Sequence, residues 1–153
     1  MNKYVVEILL VEDNENDIEL TLHALRSEKL GNSIRVVRDG EEALAFLHNP
    51  EFRPNGAIAP PKVILLDLKL PKVSGLEVLR QVKADPNLQL IPVVVLTSSK
   101  EEKDMVESYR LGVNSYLQKP VDFDSFRTMV KELGLYWLVI NQAPPFSRVK
   151  EAA

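Results

Sequence analysis

Five polar side chains stand at the ends of short apolar runs: Glu12 and Asp13 close residues 5–11, Asp67 follows 63–66, Thr97 ends 92–97, and Lys119 follows 115–118. If those runs lie side by side, their ends meet. Three carboxylates gathered at one place repel one another unless a cation sits among them or some are protonated. A hard divalent cation is the natural partner. Magnesium takes oxygen ligands and uses one or two carboxylates together with waters and phosphate oxygens, which suits an open acidic edge. Lys119 adds a second positive charge. A carboxylate beside such an ion can attack phosphorus and form an aspartyl phosphate, a transfer that depends on positioning and on neutralising oxygen charge. Asp67 is placed to do so, with Glu12 and Asp13 on the metal and with Thr97 and Lys119 on the phosphoryl oxygens.

The elements that must bring these residues together are legible in the same sequence. Short β-branched runs at 5–11, 33–37, 63–66, 92–97 and 115–118 are each followed by a segment of helical period. Several are apolar at successive positions, as strands covered on both faces are, so the sheet is expected to be parallel. Ser74 with Glu77, Asp39 with Glu42 and Ser99 with Glu102 each set a capping oxygen three residues ahead of an acid, predicting three helix starts. Five βα units with right-handed crossovers predict an α/β fold, a doubly wound five-stranded parallel sheet of order 2-1-3-4-5. Ligands then bind beyond the carboxyl ends of the strands, between the first and third.

The chain has 153 residues, 45% hydrophobic and 27% charged, the balance of one folded domain rather than a disordered segment. We expect that domain over residues 1–142 and a tail over 143–153, where Pro144 and Pro145 stop the last helix. Residues 49–62, with Pro50, Pro54, Pro60 and Pro61, read as an extended surface connection. A net charge of -3 gives no attraction to nucleic acid or to a membrane surface, and the lack of cysteine excludes disulfides and thiolate chemistry. The first apolar run is broken by Glu7 and followed by acids, unlike a signal peptide, so a cytoplasmic protein is expected. His23 and His48 have no partner at ligand spacing and are assigned no role.

Glu12-Asp13, Asp67 with Pro71 and Gly75 downstream, Thr97, and Tyr116 ahead of Lys119-Pro120 together resemble the signature of response-regulator receiver domains, over about residues 5–140. The resemblance implies a flavodoxin-like receiver fold and a two-component signalling protein. Asp67 would take its phosphoryl group from a histidine kinase and later lose it to water. It further implies magnesium held by Asp13 and Asp67, with Glu12 assisting through water and Lys69 contributing its backbone carbonyl. Thr97 and Tyr116 match the switch positions, Ser99 matches a position that tunes hydrolysis, and the Lys119–Pro120 peptide would be cis. Glu12 departs from the family's more usual aspartate. Such a protein is not an enzyme toward outside substrates, and its output is a contact with another protein.

Two other functions compete. A magnesium-dependent phosphohydrolase would need a further proton donor near Asp67, which Leu68 and Lys69 do not offer. A degenerate receiver would keep the fold as an interaction module only. A flavin carrier of the same topology is disfavoured because the loop after the first run is acidic where a phosphate cradle is required. No Gly-x-x-x-x-Gly-Lys loop supports nucleotide cleavage.

The last helix carries more apolar surface than one domain needs. Phe126, Met129, Val130, Leu133, Trp137 and Ile140 follow helical spacing toward the core, while Leu135, Leu138 and Val139 project near the other side. A homodimer contact through this helix is expected. Its ending, Leu135-Tyr136-Trp137-Leu138, and the long third connection are similar to small response regulators paired with cyanobacterial and bacterial phytochromes, implying a light-sensing histidine kinase as partner.

Overall fold

A computed structural model describes residues 6–30, 33–49 and 60–144. The elements run β1 (Ile8–Val11), α1 (Glu15–Ser27), β2 (Ile34–Val37), α2 (Gly40–Leu47), β3 (Val63–Leu66), α3 (Gly75–Ala84), β4 (Val93–Thr97), α4 (Glu102–Arg110), β5 (Ser115–Gln118) and α5 (Phe123–Leu135), followed by a π-turn over Tyr136–Ile140. The strands form one parallel sheet in the order β2-β1-β3-β4-β5. This is the doubly wound α/β fold expected from the apolar runs. Most of the proline-rich connection, 50–59, and the tail from 145 lie outside the described residues.

Strand alternation divides the apolar side chains between two cores. Leu9, Val11, Ile64, Leu66, Val93 and Val95 face one side, where Val78, Leu79 and Val82 of α3 and Leu47 of α2 cover them. Ile8, Leu10, Leu65, Val94 and Leu96 face the other, under Ile18 and Leu25 of α1 and Phe126 and Val130 of α5. Because β1, β3 and β4 are buried on both faces, their side chains are apolar at successive positions.

Register brings the strand ends to one edge of the sheet. Val11 pairs with Leu66 and Leu66 with Val95, while Thr97 and Gln118 pair two residues further out. Glu12 and Asp67, one step past Val11 and Leu66, therefore emerge together. The ladder continues past the strands through Asp67 N–H to the Val11 carbonyl (3.0 Å), Glu12 N–H to the Val37 carbonyl (3.1 Å) and Lys119 N–H to the Thr97 carbonyl (2.7 Å).

Two of the three expected caps form: Asp39 accepts from Glu42 N–H at 2.7 Å, and Ser74 accepts from Glu77 N–H at 3.2 Å. The third does not. Helix α4 starts from Glu101 without a side-chain cap, since the Ser99 oxygen bonds Glu101 N–H (3.3 Å) two residues on instead of an amide within the helix. The end of α5 also differs from simple helical spacing. The π-turn, closed by Asn141 N–H to the Tyr136 carbonyl (2.6 Å), shifts the phase of the last side chains, so Leu138 packs on the α1/α5 core and Ile140 is exposed. Finally, no peptide bond among the described residues is cis. Lys119–Pro120 takes the trans form, which an X-Pro bond prefers by about 0.5–1 kcal/mol.

Candidate functional site

Four loops that leave the carboxyl edge of the sheet supply the site. Glu12 and Asp13 follow β1, Asp67 follows β3, Thr97 closes β4 and Lys119 follows β5. One carboxylate oxygen from each of Glu12, Asp13 and Asp67 lies within 4.8 Å of the other two. Glu12 and Asp67 are buried, whereas Asp13 is exposed. The set is all oxygen, anionic and open on one side, which fits a hard divalent ion retaining waters.

The packing of α3 fixes Asp67. Gly75 opens that helix and donates its N–H to the Leu68 carbonyl at 2.9 Å, directly behind Asp67. A Cβ at Gly75 would overlap the Asp67 carbonyl and stand 2.6 Å from Leu68 Cα, so only glycine permits this approach. On its outer side, Asp67 Oδ1 accepts Leu68 N–H at 2.8 Å, which sets the plane of the carboxylate.

Lys119 is the cation within this cluster. Its Nζ lies 2.6 Å from Glu12 Oε2, 2.8 Å from Asp17 Oδ2 and 3.6 Å from Asp67 Oδ2, and its side chain is only 8% exposed. Burial alone would lower the pKa of this ammonium, but the hydrogen bonds to Asp17 and Glu12, with the charge of Asp67, outweigh that and raise it. Glu12 is raised as well, which for an acid favours the neutral form. Burial pushes it from 4.5 to about 7, against the Lys119 hydrogen bond and with help from the Asp67 charge. With its pKa near 7, Glu12 is about half protonated at neutral pH without a metal.

Thr97 is fully buried, and its Oγ1 accepts Ser99 N–H at 3.2 Å, leaving the hydroxyl proton to be given elsewhere. Tyr116 packs against the α2/α3 core with its hydroxyl enclosed and unbonded. Burial raises that phenol, and Asp104, Asp67 and Glu101 add to the rise. Ser99 stands near enough to oppose it slightly, yet outside bonding geometry. The Lys69 ammonium lies 3.8 Å from Glu101, and its side chain is largely exposed.

Of the strand-end residues singled out from the sequence, Glu12, Asp13, Asp67 and Lys119 thus meet at one place, and Thr97 ends β4 with its carbonyl bonded to Lys119 N–H. Asp17 is the residue sequence reasoning passed over. It belongs to the acidic stretch after β1, and its signal was the spacing from Asn14, whose side chain caps Asp17 N–H at 3.0 Å and so sets Asp17 in the first turn of α1 above Glu12.

The response regulator receiver domain family matches residues 8–131. The probable methanogenesis regulatory protein FilR2 of Methanothrix harundinacea is 45% identical over 139 residues, covering 90% of this chain and 86% of that protein. Response regulator Rcp1 of Synechocystis is 42% identical over 86% of this chain and 88% of its own length. The crystal structure of its Mn2+-bound form superposes with a TM-score of 0.81 at 40% identity, covering 92% of this chain and 99% of that one. The phosphorylated cyanobacterial phytochrome response regulator RcpA gives a TM-score of 0.82 at 42% identity, over 91% of this chain and 98% of its own. With the fold, the strand-end acids and the lysine in place, the chain belongs to the response regulator receiver domain family.

Proposed function

We propose that Asp67 accepts a phosphoryl group from the histidine of a sensor kinase in a Mg2+-dependent reaction, and that the protein then signals through an altered surface. The observation that carries this is the meeting of Glu12, Asp13 and Asp67 within 4.8 Å, beside the buried ammonium of Lys119. Asp13 and Asp67 would hold the magnesium ion, with Glu12 assisting through water and the Lys69 backbone carbonyl as a neutral ligand. When bound, the ion neutralises charge on the phosphoryl oxygens.

The chain's own groups do the rest. A carboxylate oxygen of Asp67 attacks phosphorus as the bond from phosphorus to the histidine nitrogen breaks, and that electron pair stays on the imidazole. Leu68 N–H steadies the carboxylate during attack. Lys119 and the free proton of Thr97 bind the transferred oxygens. Water later attacks the phosphoryl group, releasing inorganic phosphate and restoring the carboxylate, so the only reaction served is the domain's own. The new dianion draws the Thr97 hydroxyl toward it, and Tyr116 follows beside α4.

The partner of the phosphorylation step is a histidine kinase, and the resemblance to RcpA favours a phytochrome. The domain occupies residues 1–142, with a tail from 143, and works in the cytoplasm. Self-association uses the exposed face of the last turn, Leu135, Tyr136, Val139 and Ile140. Incubation with magnesium and acetyl phosphate followed by intact mass measurement tests the central step. One phosphoryl adduct is expected on the parent and none on Asp67→Asn; an adduct on both, or on neither, overturns the assignment.

A further inference from the structure

The ammonium of Lys119 has three N–H donors, and its two shortest contacts are to Glu12 (2.6 Å) and Asp17 (2.8 Å), not to Asp67 (3.6 Å). Asp17 is not on the strand edge. It reaches in from the first turn of α1, held there by the Asn14 cap, and its side chain is 25% exposed where that of Lys119 is 8%. The contact therefore ties the site to α1 through one charge-assisted hydrogen bond at the rim of the pocket.

We propose that Asp17 is a positioning residue that restrains Lys119 and thereby shortens the life of the phosphorylated state; this rests on the phosphoacceptor reading of Asp67. A phosphoryl group on Asp67 adds a dianion that needs the Lys119 charge. Asp17 competes for that charge through a hydrogen bond, and its own negative charge opposes the dianion across the shared ammonium. Removing the charge of Asp17 weakens its hold on the Lys119 ammonium and lowers the repulsion at the same time. Both effects favour the phosphorylated form. The main-chain cap is unaffected, because Asn14 bonds the backbone N–H of residue 17.

The test compares the parent, Asp17→Asn and Asp17→Glu in the full chain. Beryllofluoride affinity is measured in saturating magnesium, and phosphoryl half-life is followed by intact mass after acetyl phosphate is removed. Asp17→Asn should bind beryllofluoride more tightly and hold its phosphoryl group longer, each by roughly three- to tenfold. Asp17→Glu, which restores the charge, should return toward the parent. A gain of this sign separates restraint of Lys119 from simple damage to the site, which would weaken both. If the parent forms an adduct but Asp17→Asn has the same or a shorter half-life, the role given to Asp17 is wrong. If the parent neither forms an adduct nor binds beryllofluoride, the phosphoacceptor reading itself fails.

Discussion

The Ser99 hydroxyl donates to Asp104 Oδ2 across 2.6 Å, tying the loop after β4 to the first turn of α4. Behind it, Ser99 N–H bonds Thr97 Oγ1 at 3.2 Å, so a short polar relay runs from the strand end into the helix. Helix α4 has little else to hold it. Ser108 is its one buried residue, its own hydroxyl returning to the Asp104 carbonyl at 2.8 Å, while Met105, Val106 and Tyr109 are exposed. An element attached by few apolar contacts opens at low cost. The position of α4 thus depends on the same hydroxyl that neighbours Thr97 and the unbonded Tyr116 phenol.

Replacing Ser99 by alanine removes that tie. A hydrogen bond to a carboxylate is worth about 1.5–3 kcal/mol net, so opening of α4 should become more frequent by roughly tenfold or more. Hydrogen exchange of the amides of α4 should speed by that factor, with α1 and α5 unchanged. Equal protection in both proteins would show that other contacts hold the helix. In the same measurement, phosphorylation should alter α4 exchange in the parent and not in Thr97→Ala.

Gly75 offers a test of how the site is framed. A methyl group there meets the Asp67 carbonyl and Leu68 Cα, both of them main chain that cannot turn aside. Gly75→Ala should cost about 2–3 kcal/mol, typical of overpacking, and lower the melting temperature by roughly 5–10 °C. Thermal unfolding measures the loss. Because the strain falls on the residue that carries the carboxylate, phosphoryl adduct formation should fall even well below the new melting temperature. A variant that melts with the parent would mean that α3 can shift outward freely.

The features legible in the sequence are those set by local constraints. Val63 to Leu66 and Val93 to Leu96 are apolar at every position because both sheet faces are covered, a constraint written wholly in local sequence. Asp67 and Lys119 were visible because a polar residue directly after such a run must lie at the sheet edge. Asp17 was not, since its contact depends on the angle at which α1 leaves β1, and four acids nearby share its composition. The phase of Leu138 and Ile140 was hidden for another reason: a π-turn adds residues to one turn without any signature in hydrophobic spacing. Ser99 looked like a helix cap because its spacing to Glu102 fits one, but Asp104 and Glu101 take its bonds instead.

The end of α5 makes a paired prediction. Val139 is 61% exposed and Ile140 56%, beside half-exposed Leu135 and Tyr136, whereas Leu138 packs inward. Val139→Glu should leave folding intact and convert a sedimenting dimer to a monomer. Leu138→Glu should instead destabilise the fold by burying a charge. Sedimentation with thermal unfolding separates the two. A parent that sediments as a monomer, or a Val139→Glu protein as heavy as the parent, would remove this face from any self-contact.

The shifted acid in the pocket predicts how metal binding responds to pH. Glu12 has its pKa near 4.5 when unfolded and about 7 when folded, so between those values the folded protein holds a proton that the unfolded chain has lost. Its contribution to stability is therefore greatest below about pH 4.5 and declines as pH rises toward 7, beyond which the charged form is buried at full cost. A divalent ion reverses that preference by favouring the carboxylate. Magnesium affinity should rise with pH up to about 7 and then level, weakening by up to about tenfold for each unit below, as one proton is displaced. Calorimetric titration at pH 6 in two buffers of different ionisation enthalpy should register the released proton. Glu12→Gln, which has none to lose, should bind more weakly at pH 8 and show a flatter profile. A parent affinity that does not change between pH 6 and 8 would mean that Glu12 is already ionised before the metal arrives.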